Sequence, residues 1–131
     1  MIQHHTYLTI ADNSGAQEVQ CIKIIGGSNK ITGSIGDTII VAIKKIVKKK
    51  IKKHEKDKKK IKLGDVCHAL IVQTKKNNQR MDGRYINFNK NAAILLNPNG
   101  APIGTRIKTT LSRELRNKNF IKILSLTKKI I

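Results

Sequence analysis

Apolar residues in the N-terminal three quarters of this chain come in short runs, each cut off by a turn signal within a few positions. That rhythm is too short for packed helices and suits the strands of a small β barrel or sandwich. Tyr7 to Ala11 stops at Asp12-Asn13-Ser14-Gly15, and Val19 to Ile25 stops at Gly26-Gly27; both ends are dense in turn formers. Thr38 to Ile46 follows Gly36-Asp37, with Ile39, Val41 and Ile43 on one face and Ile40 and Ala42 on the other. Two apolar faces place this strand in the wall of a barrel rather than at a solvated edge. Val66 to Thr74, Tyr85 to Phe88 and Ala92 to Leu96 read as further strands, with a polar loop from Lys75 to Gly83. After the turn at Asn97-Pro98-Asn99-Gly100, Ser112 is placed to cap a short helix through Arg116. Ile121 to Leu126 reads as a last apolar segment, strand in preference to helix. At 131 residues, without an internal repeat or linker, one domain covering 1–131 is expected.

One stretch breaks the pattern. From Lys44 to Lys62 the chain reads KKIVKKKIKKHEKDKKKIK, with Glu55 and Asp57 as its only acids. Self-repulsion makes it a solvated hairpin tip or loop when free, and an arm that orders against phosphates when bound. The whole chain has 27 Lys+Arg against 8 Asp+Glu, a formal net charge of +19 and a pI near 10.3. So one-sided a balance calls for a polyanion, nucleic acid first. Aromatic residues are only 3%, namely Tyr7, Tyr85, Phe88 and Phe120. That supplies little of a base-stacking platform, so phosphate contacts should carry the affinity. No apolar run approaches the roughly 18 residues that cross a bilayer, and no membrane partner is expected.

Outside the lysine run, Lys75, Lys76, Arg80, Arg84, Arg106, Arg113 and Arg116 fall in expected loops or the short helix, where side chains are free to reach a partner. Polar Asn13, Ser14 and Thr74 lie beside them and suit hydrogen bonds to sugar or base edges. Chemistry is poorly provided for. His4 and His5 stand near the start, His54 lies in the lysine run, and His68 sits in an apolar strand, none at metal-ligand spacing. Asp12, Asp37, Asp65 and Asp82 each stand beside a turn residue, where carboxylate capping explains them. Cys21 and Cys67 form no CxxC pair and read as small core residues of a reducing compartment. No enzyme, metal, cofactor or small-molecule substrate is expected. The opening Met1-Ile2-Gln3-His4-His5 has no signal-peptide pattern, and no Arg precedes Arg80, so no presequence is expected.

Met1-Ile2-Gln3, Ala11-Asp12-Asn13-Ser14-Gly15-Ala16, Cys21-Ile22-Lys23 and Gly26-Gly27-Ser28 resemble the N-terminal half of the large-subunit ribosomal protein L-fourteen family. The likeness continues through Gly36-Asp37, Gly64-Asp65-Val66 and Thr74-Lys75-Lys76. It runs on from Ala69-Leu70-Ile71-Val72 to Asp82-Gly83, Phe88, Asn91 and Ile94-Leu95. Pro102 to Ile107, Arg113-Glu114-Leu115-Arg116, Phe120, Lys122-Ile123 and Ser125-Leu126 complete it over nearly the whole chain. Three departures stand out: Ile94 replaces a valine, the 44–62 run replaces a short basic segment containing Pro and Gly, and Gln17-Glu18 replaces a basic pair.

The resemblance implies a mainly β protein: a five-stranded barrel, a projecting lysine-rich β ribbon at 44–62 and short C-terminal helical turns. It implies a structural constituent of the large subunit, bound to large-subunit rRNA on the face that meets the small subunit. Neighbours would be large-subunit ribosomal proteins three and nineteen, and small-subunit rRNA across inter-subunit bridges. The expected RNA-binding set is Asn13, Ser14, Lys23, Lys44, Lys45, Lys48, Lys49, Lys50, Thr74, Lys75, Lys76, Arg80, Arg106, Arg113 and Arg116. Thr105, Arg106 and Lys118 match the surface on which family members dock a ribosome-silencing factor. The abundance of Ile, Lys and Asn fits an AT-rich genome and favours a mitochondrially encoded protein of the mitochondrial ribosome, with a plastid or a bacterial cytoplasm as alternatives. The rival function is a histone-like or RNA-chaperone protein that coats nucleic acid non-specifically.

Overall fold

The computed structural model describes residues 1–47 and 61–131. Strands β1 (Tyr7–Ile10), β2 (Ala16–Ile24), β3 (Thr38–Ile46), β4 (Val66–Gln73) and β7 (Ala92–Leu96) close into a barrel in the order β1-β2-β3-β4-β7. Neighbours pair antiparallel except β1 with β7, which close the barrel in parallel through Thr9 opposite Ala92 and Ile10 opposite Ala93. The barrel is the five-stranded one expected. Closure leaves none of these five strands at an open edge. β3 lies between β2 and β4, as its two apolar faces required.

Alternation along the strands fills the barrel. Val19, Cys21 and Ile24 of β2, Ile39, Val41 and Ile43 of β3, Ala69 and Ile71 of β4, and Ala93 and Leu95 of β7 are buried together inside, with Ile2 and Leu8. A second core lies outside the wall. Leu70 and Val72 of β4 and Ala92, Ile94 and Leu96 of β7 are covered by Ile107, Leu111, Leu115, Ile123 and Leu124 from the C-terminal segment. β4 and β7 are therefore buried on both faces, which is why they read as near-continuous apolar runs.

Cys21 and Cys67 both lie opposite Val41, on the two sides of β3. Two strand spacings separate them by about 9–10 Å, beyond the reach of a disulfide. Both thiols are free, and burial raises the pKa of each, with the Asp65 charge adding to the effect at Cys67. The four turn carboxylates behave as expected: Asp12, Asp37, Asp65 and Asp82 accept the amides of Ser14, Ser34, Lys62 and Arg84 at 2.8–3.1 Å. His68 stands half-buried on the outer face, opposite Ile40 and Leu96.

Three local expectations need correction. The polar loop contains a short strand, β5 (Asn78–Gln79), which pairs with β6 (Tyr85–Ile86), and β6 is shorter than the expected run to Phe88. The segment capped by Ser112 is a 3-10 turn, Arg113–Leu115, and the Ser112 hydroxyl makes no capping bond. The segment read as a final strand is instead a short helix, α1 (Ile121–Leu124). Phe120, Ile123 and Leu124, spaced i, i+3 and i+4, are the side chains that reach the outer core. No described helix is long and apolar enough to cross a membrane. The ribbon expected within 44–62 falls mostly outside the described residues, as do Lys48, Lys49 and Lys50.

Candidate nucleic-acid interface

The turn between β1 and β2 works as a corner post. Asp12 is buried; one oxygen takes the Ser14 amide at 2.9 Å and the other the Leu95 amide of β7 at 3.1 Å. Next to it, the Asn13 side-chain oxygen Oδ1 accepts two consecutive backbone amides, Thr105 at 2.8 Å and Arg106 at 3.2 Å. The Asn13 amide group donates to the Thr105 hydroxyl at 2.9 Å. Gly104 makes this approach possible, because a Cβ there would come within 2.7 Å of the Asp12 side chain. The effect is to fix the backbone of Arg106 and leave its guanidinium exposed. Asn13 therefore shapes the loop that presents a cation. Ser14 is half-buried, and its hydroxyl finds no partner among the described residues.

A second group forms around Thr74 at the end of β4. Thr74 is buried, and its hydroxyl donates to the Lys76 main-chain carbonyl at 3.1 Å while accepting from the Asn78 side-chain Nδ2 at 2.7 Å. The Lys75 amide donates to the Asn91 side chain at 2.9 Å. These bonds pin a loop from which Lys75 and Lys76 project, both exposed. Thr74 faces inward and, like the half-buried Asn13, organises its neighbours.

Close to this loop, Asp37 holds two ammonium groups: Lys30 on one oxygen at 3.0 Å and Lys118 on the other at 2.9 Å. Lys118 also donates to the Ile35 carbonyl at 3.2 Å and lies across Gly36, where a Cβ would come within 2.6 Å of its chain. Burial pushes the Asp37 carboxyl upward, but the Ser34 amide and the two lysines outweigh it, and its pKa lies below the ordinary value. Lys30, Thr32, Ser34, Lys76 and Lys118 line an open pocket over this carboxylate. Lys118 is thus anchored at Asp37, while Thr105 and Arg106 are anchored at Asn13.

The third group is rich in arginine. Arg80 is nearly buried; its Nε lies 2.7 Å from Glu114 Oε1 and its Nη2 donates to the Ile131 main-chain oxygen at 2.7 Å. Arg84 pairs with Asp82, which lowers the carboxyl's pKa and raises the guanidinium's. Arg113 and Arg116 are exposed on the 3-10 turn. Lys23 stands exposed on β2, and Lys44 and Lys45 on β3; the Lys45 ammonium is 2.7 Å from Glu18, which raises its pKa.

All the described acids are engaged. Asp12 and Asp65 take backbone amides, Glu18, Asp37, Asp82 and Glu114 take side-chain cations. Lys23, Lys44, Lys75, Lys76, Arg106, Arg113 and Arg116 have no acidic partner among the described residues. Lys62, Lys90, Lys108, Lys122, Lys128 and Lys129 are also exposed without an acidic partner among the described residues, and no motif around them singled them out. No group of acid, His or Cys side chains able to hold a metal occurs among the described residues. What the arrangement offers is many fixed loops with free cations, not a reaction centre.

A family model described as ribosomal protein L14p/L23e matches residues 1–131, the entire chain. The chain belongs to that family, and so is a structural, non-enzymatic protein of the large ribosomal subunit.

Proposed function

We infer that the chain acts as a single unit anchored to large-subunit rRNA close to the subunit interface. There it touches ribosomal proteins three and nineteen and contributes to inter-subunit bridges with small-subunit rRNA. The carrying observation is the surplus of exposed Lys and Arg on pinned loops after every described acid has found a partner. Such cations neutralise phosphates, while the barrel fixes their spacing. Thr105 and Arg106, on the loop held by Asn13, and the half-exposed Lys118, held separately at Asp37, are the residues offered to a ribosome-silencing factor. The richness in Ile, Lys and Asn supports a mitochondrial ribosome over a plastid or bacterial one.

Sucrose-gradient fractionation of a mitochondrial lysate at low and moderate salt tests this reading. Co-sedimentation with the large subunit that survives the higher salt is the expected result. Spreading along the gradient at low salt, with release to the top at higher salt, would indicate non-specific coating and overturn it.

A further inference from the structure

A groove of about 440 Å³ separates the tip of the β5–β6 hairpin from the 3-10 turn, and Arg80, Met81, Arg113, Glu114, Arg116 and Asn117 are among the residues on its sides. Its width is set by Arg80, which reaches from the hairpin to Glu114 on the turn and to the Ile131 main-chain oxygen. The tip is tied by its own bonds: Arg80 N donates to Arg84 O at 2.8 Å, Gly83 N to Arg80 O at 3.1 Å, and Arg84 N to Asp82 Oδ1 at 3.1 Å. On this braced tip, Met81 is fully exposed, at 104%. Across the groove, Arg113 and Arg116 lie three residues apart in a turn closed by Arg116 N donating to Arg113 O at 3.0 Å. Side chains at that spacing in a 3-10 turn leave on the same side. The two acids of the groove are already paired, Glu114 with Arg80 and Asp82 with Arg84. Arg113 and Arg116 therefore face each other's charge with no acid among the described residues to offset it.

We propose that this groove seats one unpaired nucleotide of RNA, its phosphate between Arg113 and Arg116 and its base against Met81. The proposal rests on the rRNA-binding reading above and adds to it a ligand class and separate roles. Guanidinium forks suit phosphate oxygens in a two-bond geometry. A thioether is soft and polarisable and packs well on an aromatic face, which a base provides and an acidic peptide does not. The volume falls at the small end of the roughly 300–1,000 Å³ of small-ligand sites, room for a single nucleotide and not for a duplex. Arg80 is a positioning residue here, since its guanidinium is held by Glu114 and braces the two sides.

Large subunits purified from cells expressing Met81→Ala, or Arg113→Ala with Arg116→Ala, test this. They are probed with dimethyl sulfate and with a carbodiimide that modifies unpaired uridine and guanosine. The replaced side chains are all exposed, so both variants should fold, and the probing is read on subunits shown to contain the variant chain, whatever its stoichiometry. One unpaired rRNA base should gain reactivity about threefold or more, the same base in both variants, with the rest of the pattern unchanged. An unaltered pattern in subunits that contain the variant chain overturns the proposal and assigns the groove to a protein segment. Gains at different bases in the two variants overturn it as well. Absence of the wild-type chain from large subunits would instead defeat the rRNA-binding reading, and this proposal with it.

Discussion

The carboxylate of Asp37 carries one ammonium group on each oxygen and two bonds from Ser34, so four groups from three parts of the chain meet on one side chain. Asp37→Asn retains an acceptor for the Ser34 amide but removes the charge that holds Lys30 and Lys118. Both lysines are partly solvated, with side chains 32% and 42% exposed, which screens the pairs. The expected loss is about 1 kcal/mol, a fall of roughly 4 °C in melting temperature for a domain of this size. The folded pKa lies below the ordinary value of 3.8, so this contribution is complete above the unfolded pKa and fades as pH falls through the folded one. Melting of wild type and variant across pH should show a constant gap near neutrality that closes below 3.8. A gap that did not narrow at all as pH fell below 3.8 would assign the effect to packing rather than charge. At this scale the sequence was legible where a side chain serves its own turn, as with the four aspartates. It was not legible where the partner lies far along the chain. Asn13 stood out as a polar residue among cations, yet it bonds a loop some ninety positions away; only the fold brings such groups together.

Elements with strong alternation and clear turn signals were readable, and β3 and β7 have the expected bounds. Short apolar segments were not, because four to six residues fit either period. The segment from Ile121 shows the difficulty and offers a test. In a strand, Ile121 and Ile123 would share a face and be buried alike. In α1, Ile123 is 1% exposed against the outer face of β4 and β7, and Ile121 is 62% exposed. Ile123→Ala should therefore cost about 2–5 kcal/mol, while Ile121→Ala should stay within about 0.5 kcal/mol of wild type. Chemical denaturation of the two variants reads the difference directly; equal losses would restore the extended segment. Only the β5 half of the hairpin was hidden, since Tyr85–Ile86 falls within the strand expected from Tyr85. Asn78–Gln79 is polar and is held by backbone bonds to β6, which leave no hydrophobic pattern.

For the whole molecule, the question is how much of the binding comes from charge alone and how much from the barrel that spaces it. Residues 48–60 contain nine lysines against Glu55 and Asp57, so their removal lowers the formal net charge from +19 to +12. A protein that coats nucleic acid through this run would lose nearly all of its binding. A protein anchored on loops fixed by Asn13, Thr74 and Arg80 retains Arg106, Arg113, Arg116, Lys75 and Lys76 at unchanged spacing. The dependence on salt separates the two, since each phosphate contact adds about 0.7–0.9 to the slope of log affinity against log salt. Deleting 48–60 should make release from purified large subunits begin at lower salt and flatten the slope. At low salt the shortened chain should still be incorporated at one copy per subunit. Incorporation that vanished at every salt concentration would mean that the lysine run itself is the anchor. The closed barrel would then serve mainly to carry it, and the loop cations would lose their assigned role. The sequence favours neither outcome by charge count, because a coating protein and an anchored one are equally basic. What favours the second is the closed β1-β2-β3-β4-β7 barrel with its outer core under the C-terminal segment, which holds those cations at fixed separations.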